Sequence, residues 1–520
     1  MCLMIPIILT QQEWESLDED CACPDKMFLV VFDQSHIEGA NNDCPCSDKA
    51  LLLKFDQGQS NLLDHDCACP DGVMGLTAVS SPLPSPTFTQ TTAHTQPLPN
   101  NHHLVFSPYA SGGPSVLNQA AWERWQAFAT PQARSQTIDV ELAQQMLIQP
   151  HGRSPQPLPG QPETLTAWVH VTNACDLDCP FCYVRKSSAR MSEATGLQAV
   201  ESIFRTAQQH GFKRVKLKYA GGEATLHFKL VRRLHQRAVE LAAETCLVLK
   251  EVVLSNGVHL RPADAAWLAA NGVKLMISLD GVGELHNQLR PLPTHAPFDT
   301  FTHVQRTIDE VLLPLGIKPD ITMTVTAVNA HGAADLAKWA LIDRDLPTSF
   351  NFYRQNLLSA SRADLDLEEK ALIEGMLAAY AVIEEYLPER PFLNGLLDRV
   401  QAEAHTHTCG VGQSYLVITH EGRLAQCQMH LEQPVGDALN ADLLLPVAAG
   451  PLRNLSVDDK AGCRECEFRY RCSGGCPLET YRVNGRWDVQ SPNCRIYKTL
   501  YPAALRLEGL RLLKTHGYLH

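Results

Sequence analysis

The chain has 520 residues, 45% of them hydrophobic, which is enough for two or three domains with sizeable cores. A formal net charge of −13 argues against non-specific binding to nucleic acid or to an anionic membrane. No apolar run approaches the roughly 20 residues that span a bilayer, and the opening MCLMIPIILT lacks a basic leader and a small-residue cleavage site, so a cytoplasmic location is expected.

Eighteen cysteines is a high count, and they are grouped. Six form Cys-x-Cys pairs before residue 70, three fall at 175, 179 and 182, and seven lie between 409 and 494. In a reducing compartment, clustered thiols more often bind metal or do redox work than form disulfides. Cys2 and Cys246 stand alone, and Cys246 reads as a small core residue in an apolar helical stretch.

Residues 1–79 carry an internal repeat. Asp20-Cys21-Ala22-Cys23-Pro24-Asp25 returns as Asp43-Cys44-Pro45-Cys46-Ser47-Asp48 and as Asp66-Cys67-Ala68-Cys69-Pro70-Asp71, a step of 23 residues each time. Three readings stand side by side: a metal site, a fused substrate-like array, and a solvated tail. Residues 80–100, rich in Ser, Thr and Pro, read as a flexible linker. A small α+β module over 101–150 follows, with the features of a possible peptide-binding unit, and a second Pro-rich joint covers 150–163.

Strands and helices then alternate. The strands are read at 165–172, 215–220, 252–256, 274–280, 320–328 and 350–354, and an amphipathic helix at 192–209 is capped by Ser192. Such alternation implies a parallel sheet, open or curled into a barrel, with chemistry at the C-terminal strand ends. From 400 to 500 the chain becomes loop-rich with closely spaced cysteines, and a C-terminal helix is expected over 501–520.

Cys175, Cys179 and Cys182 sit directly after the first strand of the alternating region. Three thiolates on one loop can hold three irons of a [4Fe–4S] cube and leave the fourth without a protein ligand. Zinc is the alternative, but structural zinc sites are usually closed by four ligands, and no fourth lies nearby.

This CxxxCxxC pattern, followed by Tyr183, resembles the signature of the radical SAM superfamily; the resemblance runs over roughly 165–360, within a domain expected over 164–395. Gly221-Gly222-Glu223 after the second strand resembles the family's GGE motif, which implies contact with the methionine ammonium group of S-adenosylmethionine. Ser255 and Asn256 resemble the segment facing the ribose. Ser278 and Asp280 end the fourth strand, with Arg290 following, as in peptide-modifying members. The resemblance implies a partial (β/α)6 TIM-type barrel within the α/β class. It also implies S-adenosylmethionine and a [4Fe–4S] cluster as cofactors, and cleavage to a 5′-deoxyadenosyl radical that abstracts hydrogen.

The seven C-terminal cysteines resemble a SPASM domain, found in radical enzymes that mature peptides and proteins. That likeness implies two auxiliary clusters, Cys409, Cys427 and Cys476 holding one, and Cys463, Cys466, Cys472 and Cys494 the other. The first then has three ligands, and His405 or His407 is a candidate fourth. Two zinc sites are the alternative reading. The function expected is a peptide maturase that installs a crosslink in a ribosomally made peptide, acting as an oxidoreductase with a ferredoxin or flavodoxin as electron donor. A formylglycine-generating activity on a sulfatase is the alternative: Cys427-Gln428-Met429 matches its relatives' run, but His430 stands where they carry Asp. A non-catalytic iron–sulfur or zinc scaffold is the third class. No general acid or base is singled out by spacing.

Overall fold

The computed structural model describes residues 52–54, 86–110, 112–154, 162–294 and 297–519. The three Cys-x-Cys pairs lie outside the described residues.

The N-terminal module is built from short antiparallel strands: β1 (Leu52–Lys54), β2 (Thr87–Gln90), β3 (His94–Leu98), β4 (His102–Phe106), β5 (Ser115–Leu117), β6 (Gln132–Ala133) and β7 (Ile148–Pro150). One sheet runs β1-β5-β4-β3 and another β6-β2-β7. The Ser/Thr/Pro-rich stretch expected to be a linker therefore carries β2 and β3. Proline is compatible with this because β3 is an edge strand, where one missing N–H need not break a ladder. Helix Gln119–Ala127 starts where Asn118 Oδ1 accepts the Ala121 N–H at 3.0 Å, and Trp125 and Phe128 pack with Phe88, Val105 and Leu142 into a small core.

Six parallel strands form the centre: β8 (Thr164–Thr172), β9 (Arg214–Gly221), β10 (Val248–Ser255), β11 (Lys274–Ser278), β12 (Asp320–Val325) and β13 (Thr348–Phe352). They lie side by side in chain order with helices between them, the arrangement of a partial (β/α)6 barrel, and the sheet does not close on itself. Alternation decides which face each residue takes. Leu165, Ala167, Val169 and Val171 of β8 enter the helix-covered core, whereas Trp168 joins Ala220 on the concave face. Ser192 caps helix Glu193–Gln209 by accepting the Thr195 N–H at 3.0 Å, and Val200, Ile203, Phe204 and Ala207 bury its inner stripe. Cys246 differs from expectation. It is the exposed C-cap of helix Phe228–Thr245, in the left-handed conformation at φ 55°.

The cysteine-rich region attaches to the barrel's open side. β14 (Tyr415–Ile418) pairs parallel with β8, and β15 (Arg423–Ala425) and β16 (Gly436–Asp437) extend the sheet antiparallel. The last helix is longer than expected, Cys494–Thr515, and it packs on both the barrel and the N-terminal module. At Gly509 a Cβ would meet Leu104 Cδ1 at 2.9 Å, so a small residue is needed at that crossing. Among the described residues no helix is long and apolar enough to cross a membrane.

Candidate functional site

The C-terminal end of β8 runs straight into the loop of Cys175, Cys179 and Cys182. Backbone N–H groups point at its sulfurs: Leu177 N lies 3.5 Å from Cys175 Sγ, and Val184 N 3.5 Å from Cys182 Sγ. Burial pushes the Cys175 thiol up to about 12 and the Cys179 thiol up to about 11. Thiolates here are therefore costly unless a cationic core stabilises them.

The glycine pair serves this loop directly. A Cβ at Gly221 would lie 2.5 Å from the Thr172 carbonyl, and one at Gly222 2.4 Å from the Ala174 carbonyl. Gly222 N and Glu223 N donate to those same two carbonyls at 2.7 and 2.8 Å. The glycines thus let the end of β9 lie flat against the cysteine loop, a role the sequence motif does not reveal.

Glu223 is buried, and burial together with nearby Asp176 raises its carboxyl above the usual range. One oxygen accepts Thr225 N and Thr225 Oγ1 at 3.0 and 2.7 Å, the other Asn256 N at 2.6 Å. Asn256 in turn donates Nδ2 to Asp176 Oδ1 at 2.6 Å. Asp176 Oδ2 is buried without a hydrogen-bond donor, with His259 Nε2 3.9 Å away. Two neighbouring carboxylates with one unsatisfied oxygen fit a cationic ammonium group. Ser255 turns inward and accepts Gly257 N at 3.0 Å.

Asp280 and Arg290 form a buried pair. Arg290 Nε donates to Asp280 Oδ2 at 2.6 Å, and Thr324 N to Oδ1 at 2.7 Å. The guanidinium lies over Phe181 and reaches Cys179 Sγ at 3.8 Å. Asp280 therefore positions the cation that faces the cysteine loop, and Ser278 ends the strand just before it. Tyr183 packs between the loop and the C-terminal region, close to both Cys182 and Cys427. A cleft of about 470 Å³ opens beside it, lined by His170, Tyr183, Arg185, His420, Arg423 and Glu432 among others. Burial lowers His170 to about 4; it is neutral near pH 7, and one ring nitrogen lies 2.7 Å from Asn173 Oδ1.

The seven remaining cysteines separate into two groups. Cys409, Cys427 and Cys476 pack into one cluster with Val411 and Leu452, and Cys463, Cys466, Cys472 and Cys494 lie apart from it. The four of the second group line one cavity with Arg471 and Tyr497. The split is made by Ser473-Gly474-Gly475, three successive residues at φ 46°, 79° and 71° that reverse the chain between Cys472 and Cys476. Lys460, buried between the groups, donates Nζ to the Ser473 carbonyl at 2.7 Å and holds that turn. Arg354 and Arg399, joined through Asp398, face the three-cysteine group, and Arg482 lies near it at the surface.

His405 and His407 each hold one ring nitrogen against a neighbour in their own loop. His405 is held against Arg471 and Lys460, with Nδ1 3.0 Å from the Glu403 carbonyl, and His407 Nδ1 lies 2.9 Å from Thr406 Oγ1. Among the described residues no three His, Cys, Asp or Glu side chains converge as a single metal ion requires. Asp176, Arg354, Arg399 and Lys460 were invisible to sequence reading, since no motif marks them.

Comparison with known proteins gives a consistent result. The Radical SAM superfamily profile matches residues 169–314. Sporulation killing factor maturation protein SkfB of Bacillus subtilis (strain 168) is 26% identical over 218 residues, 40% of this chain and 48% of that protein, so the match spans about half the relative's length. An uncharacterized protein of Archaeoglobus fulgidus is 24% identical over 353 residues, 64% of this chain and 79% of that protein. Among solved structures, native anSMEcpe with bound AdoMet aligns with a TM-score of 0.54 at 18% identity, over 67% of this chain and 99% of that one; at this identity the likeness is one of fold. Residues 169–314 are thus similar to the Radical SAM superfamily.

Proposed function

We propose that the chain is a radical S-adenosylmethionine enzyme of the SPASM type that abstracts hydrogen from a peptide and installs a crosslink in it. The observation that carries this reading is the packing of the three-cysteine loop against the Glu223–Asn256–Asp176 carboxylate cradle at the C-terminal ends of adjacent strands. When bound there, S-adenosylmethionine and a [4Fe–4S] cluster would supply a 5′-deoxyadenosyl radical after one-electron reduction by a ferredoxin- or flavodoxin-like donor.

The remaining roles belong to this chain's own side chains. Cys175, Cys179 and Cys182 would hold the cluster, and Arg290, aimed by Asp280, would offset its negative charge. Glu223 and Asp176 would receive the ammonium group, with Ser255, Asn256 and Ser278 at the neighbouring strand ends and Tyr183 closing the loop. The buried cradle excludes water from the reacting centre. Cys409, Cys427 and Cys476, and Cys463, Cys466, Cys472 and Cys494, would hold two auxiliary clusters. The first lacks a fourth protein ligand among the described residues, which would suit it to bind substrate.

The peptide class is supported by SkfB, whose name describes maturation of a killing factor, and by a neighbour of the same fold, native anSMEcpe, solved with bound AdoMet and a Kp18Cys peptide. The cleft beside Tyr183 has the dimensions of a small-molecule site with room for a peptide side chain. Anaerobic reconstitution tests the reading. About twelve irons per chain and reductant-dependent formation of 5′-deoxyadenosine are expected, by four irons for each of three clusters. A chain that takes up zinc alone and leaves S-adenosylmethionine intact would overturn it.

A further inference from the structure

The Cys-x-Cys repeat lies outside both cysteine-rich regions of the barrel and the C-terminal domain. One described element, β1, belongs to the segment that carries it. Leu52, Leu53 and Lys54 pair antiparallel with Leu117, Val116 and Ser115, so β1 adds a strand to the free edge of β5. Adding a strand to a sheet edge grips an extended peptide through its backbone, whatever its side chains.

Position matters as much as pairing. β1 lies between the second and third Cys-x-Cys units, six residues after Cys46 and thirteen before Cys67. Those tethers span at most about 20 Å and about 45 Å when fully extended. Each cysteine pair is flanked by two aspartates: Asp20 and Asp25, Asp43 and Asp48, Asp66 and Asp71.

The barrel's concave face carries the complementary charge. Val215, Leu217 and Tyr219 of β9 enter the helix-covered core, which turns Lys216 and Lys218 to the opposite face. Neither lysine forms an ion pair among the described residues. Burial lowers both lysines, Lys218 to about 8 with the charges of Lys216 and Arg399 adding to it, while Asp320 partly offsets Lys216; an anionic group brought to this face would restore their charge. Arg399 and Arg354 continue this side towards Cys409 and Cys476, with Asp398 shared between them and Glu479 4.0 Å from Arg354.

We propose that residues 1–79 are a substrate tethered in cis, docked on β5 through β1, with its acidic Asp-Cys-x-Cys units presented to the cationic concave face. The inference rests on the function proposed above and names its substrate. Three equivalent units favour a substrate array over an inhibitory plug, which needs one. The crosslink is a thioether. One C–H hydrogen leaves to the 5′-deoxyadenosyl radical, giving 5′-deoxyadenosine, and a cysteine thiol of the same unit releases its proton. The carbon radical and the thiolate form the C–S bond, and the surplus electron passes to an auxiliary cluster.

Two measurements on the full chain test this. In the first, a fluorescent peptide of residues 43–71 is titrated against the native chain and against the Leu52→Pro, Leu53→Pro double variant, in which β1 cannot complete its ladder. The variant should bind the peptide at least tenfold tighter, because its β5 edge is free. Equal binding to both chains, or binding to neither, overturns the docking. In the second, the native chain is reduced with S-adenosylmethionine and mapped by mass spectrometry. Peptides containing Cys44 and Cys46, or Cys67 and Cys69, should lose hydrogens in pairs, at a rate per chain that does not change on tenfold dilution. The double variant should lose at least nine-tenths of this modification while still forming 5′-deoxyadenosine. A rate that falls with dilution would make the substrate another copy's segment, and an unmodified repeat beside normal 5′-deoxyadenosine formation would sink the inference alone. Absence of 5′-deoxyadenosine would sink the proposed function instead, and the binding titration would still judge the docking.

Discussion

Cys175, Cys179 and Cys182 fall within one loop after one strand, whereas Cys409, Cys427 and Cys476 come together from three separated segments. The first set needs only β8 and the flat approach of Gly221 and Gly222. The second needs β14 on the barrel edge, the reversal at Ser473-Gly474-Gly475 and Lys460 beneath that turn. Their charge settings differ too. Carboxylates Glu223 and Asp176 flank the first, with Arg290 as its cation, while three arginines, Arg354, Arg399 and Arg482, outnumber the two carboxylates Asp398 and Glu479 beside the second. A site beside carboxylates suits a cationic cofactor, and one among arginines suits an anionic partner such as a substrate thiolate.

The sharpest way to break this comparison is to remove one thiol from each group. Cys175→Ala should abolish 5′-deoxyadenosine formation outright. Cys427→Ala should lower bound iron by about four atoms per chain while keeping 5′-deoxyadenosine formation within about tenfold and losing the modified product. Iron analysis and chromatography of the nucleoside read both. If Cys427→Ala also stopped cleavage of S-adenosylmethionine, the two groups would not have separate duties.

A smaller effect should follow from the arginines. Arg290→Gln leaves Asp280 buried without its cation, so the denaturant midpoint should correspond to a loss of about 3–5 kcal/mol. At the other site Asp398 keeps Arg354 at 2.6 Å when Arg399 is removed, because Arg399 stands 3.9 Å from it. Arg399→Gln should therefore cost about 1–3 kcal/mol. Equal losses would contradict the assignment of Asp280 and Arg290 as the more tightly committed pair.

What could be read from sequence divides along the same line. The six barrel strands and the Ser192-capped helix are legible because their patterns are local, period two on the strands and 3.6 on the helix. The cysteine loop is legible for the same reason. Asp176, Lys460 and Arg399 are not, because their significance comes from residues distant in the chain that fold beside them. The stretch from Thr87 to Leu98 misleads for a related reason: its Ser, Thr and Pro content suits a linker, yet Phe88 and Leu98 are buried in two different clusters. Cys246 misleads because an apolar neighbourhood does not disclose a helix end.

The smallest expected effect concerns the joint between the two regions. The C-terminal helix carries Cys494 at its start, and fourteen residues later Glu508 is buried where the helix meets the segment after the barrel's last long helix. Arg511 Nε donates to Glu508 Oε1 at 2.7 Å, and Arg511 Nη1 donates to the Glu389 carbonyl at 3.0 Å. Burial outweighs these bonds and raises the Glu508 carboxyl to about 7. The unfolded carboxyl releases its proton near 4.5, so between about 4.5 and 7 the folded chain binds more protons than the unfolded one. The stability linked to this proton is fully present below pH 4.5 and is lost as pH rises through 7, on the order of 3 kcal/mol. Glu508→Gln keeps the shape and removes the titration, so its stability should lie flatter between pH 5 and 8 than that of the native chain, as read from urea unfolding. Because neither cysteine group touches Glu508, iron content should stay unchanged. A change in iron there would mean that the joint sets the geometry of the auxiliary groups as well as their attachment to the barrel.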